Sequence, residues 1–365
     1  MFGMGPTYEA FAHFAHGGAT VFFMVFSVFT WPMRKKNRMM YLLFLNMLYL
    51  AFCNCKDMVF LFGDLWYDPY ITGLSVMTDL IYVPIMSSFF LEVVSPGFMT
   101  NRRIWSLVGP QILFLPLFIA FPSDLIYRIA LYFSYLVGIT VMLLLVIQSV
   151  RHRRFIKENY SFTEHIDVSW TVGGGIAVFL CMTIYLLVFS DETWLGNAVY
   201  YLMSFLGWVY LYFSSLKHQV VEVPQHLFFN LPWDSSEKDT DAISAEIKEH
   251  SEDVYAFIER GLAKCMGEDK LYLNPKLSIQ DIASAIGTNR TYLSAYLNSE
   301  LKVNFYDYVN SLRIKEACSV INENKEKISM QEVSDRSGFN SISTFNRSFT
   351  KYVGMTPSQY ASRKR

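Results

Sequence analysis

The sequence predicts an all-α protein that consists of a seven-transmembrane-helix bundle and a C-terminal cytoplasmic domain with two helix-turn-helix subdomains joined by a linker helix. Of the 365 residues, 52% are hydrophobic and only 17% are charged, whereas soluble chains carry about a quarter charged residues. Seven segments are long and apolar enough to cross a bilayer, which takes roughly 20 residues each. Near the C-terminus, two stretches each show a pair of short helical patterns separated by a glycine.

The charge distribution divides the chain into three predicted domains. Residues 1–216, the predicted seven-span domain, hold 12 Lys/Arg and 12 Asp/Glu. Residues 217–270 hold 6 Lys/Arg and 12 Asp/Glu and form an acidic connector with a net charge of −6. Residues 271–365 hold 13 Lys/Arg and 8 Asp/Glu, which makes the last domain basic with a net charge of +5. An overall charge of −1 hides these three different compositions.

The seven predicted spans follow one another closely. They lie near residues 11–33, 39–62, 71–94, 104–121, 125–150, 168–189 and 198–216. The fourth contains Pro110 and Pro116, which predict a kink that neighbouring helices in a bundle can accommodate.

Basic residues between the spans predict the orientation of the bundle. They occur only in the loops after the first, third and fifth spans: Arg34, Lys35, Lys36, Arg38, Arg102, Arg103, Arg151, Arg153, Arg154 and Lys157. The alternate loops, "GDLWYDPY", "PSD" and "SDETWLGN", contain neither Lys nor Arg. Because cationic loops stay on the cytoplasmic side, the N-terminus is expected outside and everything after the last span in the cytoplasm. The start "MFGMGPTYEAF" lacks the basic region of a signal peptide, so we expect the first span to be uncleaved.

Asp79 lies inside the third predicted span, where an ionisable group is costly and often functional. We expect Asn46 of the second span and Thr78 to face it. Two interpretations stay open. Asp79 is either a hydrogen-bonded structural residue of the bundle or part of a pocket that senses a ligand or protons.

Catalytic and metal-binding patterns are missing from the sequence. It has no HExxH, no GxSxG and no paired intramembrane aspartates of the kind that a membrane protease uses. Cys53 and Cys55 are too close for an easy disulfide and lack the second pair that a zinc site requires. We therefore predict no enzyme, no cofactor and no bound metal.

The acidic connector is predicted to contain an amphipathic helix that begins near Asp241. Apolar residues recur there at spacings of three and four: Ile243, Ile247, Val254, Phe257 and Ile258. This apolar face either packs on the domain that follows or makes a short dimer contact between two copies of the chain.

Two stretches of the last domain repeat one design. They are "LSIQDIASAIGTNRTYLSAYL" from Leu277 and "ISMQEVSDRSGFNSISTFNRSF" from Ile328. Ser278 with Asp281, and Ser329 with Glu332, have the spacing of a capping box. Each first helix ends at a glycine, Gly287 or Gly338, where a left-handed turn is needed. A second helix follows near Asn289 or Asn340, so each stretch predicts a helix-turn-helix.

A longer helix is predicted between the two copies. It runs from about Phe305 to Ile321 and spans roughly 25 Å. A rod of this length can hold two outward helices about 34 Å apart, the length of one turn of DNA, so that they enter successive major grooves. After the second copy, "MTPSQY" starts a closing helix with Thr356 as its cap and Pro357 at its first position.

These motifs resemble the AraC/XylS family of transcriptional regulators. The second copy, "SDRSGFNSISTFNRSFTKYVGMTPSQY", carries the strongest motif, and "NFYDYVNSLRIKEA" is similar to the connecting helix of the family. The resemblance covers Leu271–Lys364, about a quarter of the chain, and not the spans. It implies a family domain fused to an N-terminal multi-span membrane domain. One departure is Lys302, where family members often have Gly at the end of the first recognition helix.

The resemblance implies that the helices starting near Arg290 and near Ser341 lie in the major groove. The residues expected to face DNA are Arg290, Thr291, Ser294, Ala295 and Asn298 in the first, and Ser343, Thr344, Asn346 and Arg347 in the second, with Lys351 near phosphate. Arg347 can contact guanine with two hydrogen bonds, which contribute about 1–3 kcal/mol of discrimination. We expect either that the second helix carries more of the specificity or that the first acts chiefly through phosphates. The alternative for each arginine is a solvated surface charge.

Together these observations predict a membrane-anchored, sequence-specific DNA-binding transcriptional regulator in the bacterial inner membrane, with a cytoplasmic C-terminal domain. The expected partners are promoter DNA, the lipid bilayer and an unidentified small-molecule or peptide signal sensed through the bundle. A homodimer and contact with RNA polymerase stay open. Two other functions also stay open: an integral-membrane transporter or enzyme with a regulatory tail, and a protein-interaction module that has lost DNA binding.

Overall fold

The structure, a computed structural model, describes residues 6–61, 65, 68–191, 194–221, 251–323 and 328–363. These residues are mainly helical and contain no strand, apart from one isolated antiparallel bridge between Tyr160 and Ser278. They form two compact units. One unit takes its residues from Met1–His152 and Val168–Phe228, the other from Arg153–Asp167 and Phe229–Arg365. Residues 153–167, which lie between the fifth and sixth predicted spans, are thus part of the second unit.

The first unit is built from long apolar helices. They are α1 (Pro6–Met33), α2 (Arg38–Asp57), α3 (Pro69–Leu80), α4 (Tyr82–Val94), α5 (Asn101–Ala120), α6 (Asp124–Asn159, whose last residues belong to the second unit), α7 (Ser169–Asp191) and α8 (Trp194–Lys217). Among the largest buried side chains are Phe23, Phe89, Phe90 and Trp208. Gly174 and Gly175 of α7 lie directly against the side chains of Leu211 and Leu145, so small residues let these apolar helices approach closely.

The described chain contains six helices long and apolar enough to cross a membrane. They are Thr7–Met33, Arg38–Asp57, Pro69–Val94, Asn101–Ala120, Asp124–Asn159 and Trp194–Lys217. The third of these comprises α3 and α4, which meet at Ile81. The span predicted at 168–189 corresponds to α7. Its part Ser169–Cys181 is an apolar helix, but it is too short to be one of these six. Six predicted spans are therefore supported by length and composition, and the count of seven stays a prediction.

Helix α6 is longer than predicted. It has 36 residues, about 54 Å at 1.5 Å per residue, whereas the fifth span was expected to end at residue 150. Arg151, Arg153, Arg154 and Lys157 therefore lie in a helix and not in a loop, because arginine and lysine have high helix propensity. At the end of α6, the Asn159 side chain donates a hydrogen bond to the Phe155 carbonyl at 2.7 Å.

The second unit contains seven further α-helices in its described part. They are α9 (Ser251–Leu262), α10 (Ile279–Ile286), α11 (Arg290–Ser299), α12 (Phe305–Glu323), α13 (Met330–Arg336), α14 (Ile342–Val353) and α15 (Pro357–Arg363). A π-helical turn, Ala263–Glu268, follows α9, and a short 3-10 helix lies at Leu271–Leu273. This order gives α10–α11 and α13–α14 as two helix pairs on either side of α12.

Two apolar cores hold the second unit together, and α12 contributes to both. The first core joins α9, α10, α11 and the start of α12 through Ile258, Ile282, Leu293, Leu297 and Val309, among others. The second core joins the rest of α12 to α13 and α14. Phe345 and Phe349 of α14 are fully buried in it.

The apolar face predicted for the connector is described from residue 251 onward. Ile258 is fully buried and Val254 packs against the first core, while Phe257 is 45% exposed. Ile243 and Ile247 lie outside the described residues. The described turns of this helix thus pack on the following helix pair.

Candidate nucleic-acid interface

The first helix pair has the local geometry that its sequence predicts. Ser278 and Asp281 form a reciprocal capping box at the start of α10, and the helix ends at Gly287 with φ of +83°. The side chain of Asn289 accepts a hydrogen bond from the Tyr292 amide at 2.9 Å and so caps α11. The N-cap of α11, Asn289, therefore lies two residues after Gly287.

The second helix pair repeats this geometry. The Ser329 hydroxyl accepts from the Glu332 amide at 3.1 Å, and Gly338 follows α13 with φ of +81°. A Cβ at Gly338 would lie 2.6 Å from the Leu273 backbone, so only glycine fits this turn. Helix α14 is capped by Ser341, whose hydroxyl accepts from the Thr344 amide at 3.2 Å. The N-cap of α14 thus lies at Ser341, close to where the sequence places the start of this helix.

A buried arginine ties α12 to the first helix pair. Arg313 is 1% exposed, and its guanidinium donates to the carbonyls of Tyr272 at 2.7 Å and Asn274 at 2.6 Å. Burial lowers the pKa of Arg313 to about 10. This value is far above neutral pH, so the side chain stays charged and holds the turn before α10 in place.

The residues of α11 that are predicted to face DNA differ in their exposure to solvent. Thr291 and Asn298 are exposed, whereas Ser294, Ala295 and Arg290 are half-buried. The Asn298 amide donates to the Ser294 hydroxyl at 3.3 Å. Most of these groups are small and neutral, so α11 is suited to phosphate contacts and van der Waals contacts more than to dense base reading.

On α14, three predicted residues are exposed and one is not. Ser343, Asn346 and Arg347 are exposed, while Thr344 is 2% exposed. The Arg347 guanidinium donates to the Thr344 hydroxyl at 3.2 Å. Ser343, Asn346 and Arg347 therefore form an outward polar row with one cation, and Thr344 does not belong to it in this arrangement.

Lys351 at the end of α14 already has a partner within the domain. Its ammonium group lies 2.6 Å from a carboxylate oxygen of Asp307 on α12, and the Tyr352 hydroxyl donates to the same carboxylate at 3.2 Å. Burial alone raises the pKa of Asp307, but the hydrogen bond and charge of Lys351 outweigh it, so the pKa is lowered. A phosphate at Lys351 would share the lysine with this exposed ion pair.

Two residues outside the C-terminal helices contact them, and no sequence pattern marks either one. Ser161 and Glu164 belong to 153–167, the segment that follows the fifth predicted span. The Ser341 hydroxyl donates to a Glu164 carboxylate oxygen at 2.7 Å across 177 sequence positions. Burial raises the pKa of Glu164, but hydrogen bonds from Thr344 and Ser341 outweigh it and leave the pKa lowered. The only local sequence signal for this contact is the general preference of a helix N-terminus for an anion, and it does not indicate which residue supplies that anion.

Asp79, the predicted sensing residue, lies in a cluster of polar side chains in the first unit. Its carboxylate is 3.0 Å from the ammonium group of Lys56, which also lies 2.5 Å from Asp57 and 2.6 Å from the Ser75 hydroxyl. Asn46 instead donates to the Leu42 carbonyl at 2.8 Å. The Thr78 hydroxyl donates to the Leu74 carbonyl at 2.9 Å. No sequence pattern marks Lys56 as the partner of Asp79.

The described residues contain no group of three or more His, Cys, Asp and Glu side chains that could hold a metal ion. The candidate surface of the second unit is made of hydroxyls, amides and cations on α11 and α14. These groups can donate hydrogen bonds to phosphates and to base edges.

Comparisons with known proteins agree on the C-terminal part. Residues 272–363 match the family model described as "Helix-turn-helix domain". The melibiose operon regulatory protein of Escherichia coli (strain K12) is 29% identical over 84 residues, 23% of this chain and 27% of that protein. The uncharacterized HTH-type transcriptional regulator YtdP of Bacillus subtilis (strain 168) is 30% identical over 90 residues, 25% of this chain and 11% of that protein.

A third relative is the uncharacterized HTH-type transcriptional regulator SACOL0084 of Staphylococcus aureus (strain COL), with 28% identity over 91 residues, 25% of this chain and 12% of that protein. This chain thus spans between about a tenth and about a quarter of the length of these relatives. Among solved structures, the C-terminal domain of AraT, a response regulator from Geobacillus stearothermophilus, is 22% identical with a TM-score of 0.27. The matched region covers 30% of this chain and 85% of that chain.

The matched region is a helix-turn-helix domain of the AraC type. Two of these relatives are named HTH-type transcriptional regulators and the third an operon regulatory protein, and none of the three is named as an enzyme. The prediction of an AraC-type double helix-turn-helix domain at the C-terminus is confirmed.

Proposed function

We propose that this chain is a membrane-anchored transcriptional regulator that binds promoter DNA in a sequence-specific manner. One observation carries the proposal: α11 and α14 are two capped helices that follow tight glycine turns, and the single rod α12 packs on both pairs. Such helices can enter successive major grooves, where their N-terminal residues read base edges. The residues proposed to contact DNA are Arg290, Thr291, Ser294, Asn298, Ser343, Thr344, Asn346, Arg347 and Lys351.

Salt dependence of DNA binding tests this proposal directly. A protein that neutralises several phosphates loses affinity steeply as salt rises, because counterions are released from DNA on binding. We expect the purified chain to bind duplex DNA at low salt with a clearly negative slope of log affinity against log salt. If duplex DNA is bound at low salt neither by this chain nor by its Glu164→Gln variant, the domain is instead a protein-interaction module.

The proposed anchor is the helical bundle of residues 1–216. It is the first of three proposed domains and is followed by the connector 217–270 and the DNA-binding domain 271–365. Large apolar side chains are exposed on its helices, for example Val28 at 69%, Leu113 at 68% and Leu136 at 63%. A hydrocarbon environment accommodates such surfaces, whereas water does not. Seven spans in the inner membrane would place the N-terminus outside and the C-terminal domain in the cytoplasm.

The bundle is further proposed to sense a signal in the membrane or outside it, either a small molecule or a peptide. The Lys56–Asp79 cluster supports this, since ionisable groups inside a span are costly and usually functional. Two tethered copies would raise the local concentration of the domain and so its apparent affinity. A homodimer and contact with RNA polymerase belong to the same proposal.

Separation of the domain from the bundle tests the sensing role. We expect a chain cut at about residue 240 to change the output of a regulated promoter, because the domain no longer receives the state of the bundle. A full-length Asp79→Asn variant serves as the second arm, since it keeps the tether. Output that is identical in all three chains would reduce the bundle to an anchor.

A further inference from the structure

Residues 153–167, which we call the inter-span segment, pack on the C-terminal helix pairs as part of the same compact unit. Within this segment, the Ser161 amide donates to the Leu277 carbonyl at 3.0 Å, and its hydroxyl donates to the same oxygen at 2.8 Å. The adjacent Tyr160 forms the antiparallel bridge with Ser278. The segment is thus fastened to the residues that begin α10.

A buried polar notch on α12 receives the same serine. Arg313 donates to the Ser161 carbonyl at 3.2 Å and to the Ser161 hydroxyl at 3.0 Å. The side-chain amide of Asn310 donates to the same carbonyl at 3.3 Å. Ser161 and Asn310 are fully buried and Arg313 is 1% exposed. A charged group buried this deeply needs its partners. The notch is therefore completed by the segment.

From this attachment, the inter-span segment reaches the first residues of both DNA-reading helices. Glu164 accepts the 2.7 Å hydrogen bond of Ser341, the N-cap of α14. The guanidinium of Arg290, the first residue of α11, lies 5.7 Å from the centre of the Phe155 ring. The N-terminal residues of such helices are those that contact base edges and phosphates.

Glu164 has the chemistry of a phosphate stand-in. Its carboxylate faces hydroxyl donors at a helix N-terminus, which carries partial positive charge and binds anions. Thr344, one of the residues expected to face DNA, is 2% exposed beside it. The anion that this end of α14 favours is thus already supplied by the chain itself.

We propose that the inter-span segment is an autoinhibitory partner of the DNA-binding domain. Glu164 and Phe155 hold the N-terminal ends of α14 and α11, and duplex DNA binds only after the segment leaves them. This inference rests on the proposed function, because it supposes that α11 and α14 read DNA. The first residues of the segment, 153–159, are the last residues of α6.

The first test measures the affinity of the full chain in lipid nanodiscs for a mixed-sequence DNA duplex of about 30 base pairs, long enough to span successive major grooves, at low salt. Glu164→Gln keeps the size of the side chain but removes the charge that competes with phosphate. Glu323→Gln removes the same charge from an exposed position at the end of α12 and is the matched control. We expect Glu164→Gln to bind about tenfold more tightly than wild type, since a larger fraction of molecules is competent to bind.

The control should stay within about twofold of wild type, as expected for a surface charge that is partly screened. Equal affinities of Glu164→Gln and the control would overturn the proposal. If wild type and both variants fail to bind duplex at low salt, the proposed function fails and the inference fails with it.

The second test asks where the segment is when DNA is bound. Hydrogen–deuterium exchange of the wild-type chain is measured with and without the same duplex. We expect the Ser161 amide to exchange faster in the DNA complex, because its bond to Leu277 is broken, while α12 stays protected. A Ser161 amide that remains protected at saturating DNA would show that segment and duplex bind together, which contradicts autoinhibition and leaves the proposed function intact.

Discussion

Arg313 shows how one side chain organises the C-terminal unit. Its guanidinium donates to two carbonyls that precede the turn before α10, those of Tyr272 and Asn274, and to Ser161 of the inter-span segment. The planar fork of arginine suits several acceptors at once. The sequence motif "NSLRIKEA" placed Arg313 on the linker helix, but nothing near it in sequence shows that its acceptors are up to 152 positions away.

Lys302 carries backbone strain. It adopts φ of +56° after α11, a left-handed conformation that costs a non-glycine residue roughly 1–2 kcal/mol. In the sequence, Lys302 is a departure from the resemblance, because family members often have glycine at this position, and this departure leaves the local turn in doubt. The structure shows that the turn is retained with a lysine in it.

Replacement of this lysine gives a prediction at the residue scale. Lys302→Gly should raise the free energy of unfolding of the C-terminal unit by about 0.5–1 kcal/mol, because relief of strain exceeds the entropic cost of glycine. The measurement is hydrogen exchange of the most protected α12 amides in the full chain. Lys276→Gly, at an exposed lysine outside the left-handed set, should leave stability unchanged or lower it. A Lys302→Gly chain that is less stable than wild type would contradict the strain argument.

At the scale of elements, capping and turn chemistry predicted the two helix pairs well. The box at Ser278 and Asp281, the cap at Asn289 and the left-handed glycines all lie where local rules place them. Local rules work here because each motif satisfies its own orphan backbone groups. They fail at α6, since no nearby glycine or proline marks where its helix ends, and it continues through the basic residues to Asn159.

The two turn glycines differ in their surroundings, which gives a prediction for the helix pairs. Gly338→Ala places a Cβ 2.6 Å from the Leu273 backbone, whereas Gly287→Ala meets nothing within 4 Å. Both glycines have positive φ. Conformational strain should therefore lower the free energy of unfolding of each alanine variant by about 1 kcal/mol. The clash should add about 2 kcal/mol or more at Gly338 alone. Similar losses in the α12 exchange measurement for both variants would show that the Leu273 contact is unimportant.

At the scale of the whole molecule, the sequence separated an apolar half from a basic domain, and the structure supports six apolar helices and an AraC-type domain. Composition alone carries this division, because lipid and DNA select opposite surfaces. Composition could not show that the residues 153–167 belong to the DNA-binding unit. The hydrogen bond from Ser341 to Glu164 joins parts of the chain 177 residues apart, and contacts of this range leave no local pattern.

Genome-wide mapping of DNA bound by the full chain in its native host tests the central claim most directly. The wild-type chain is compared with Arg347→Ala, which removes the exposed guanidinium of α14, and with Lys315→Ala at an exposed position of α12. We predict a discrete set of bound sites for wild type and Lys315→Ala. At those sites the occupancy of Arg347→Ala should fall about 5- to 100-fold, as expected for the loss of a bidentate base contact. The same map for all three chains, or no enriched sites for wild type, would contradict DNA reading by this domain.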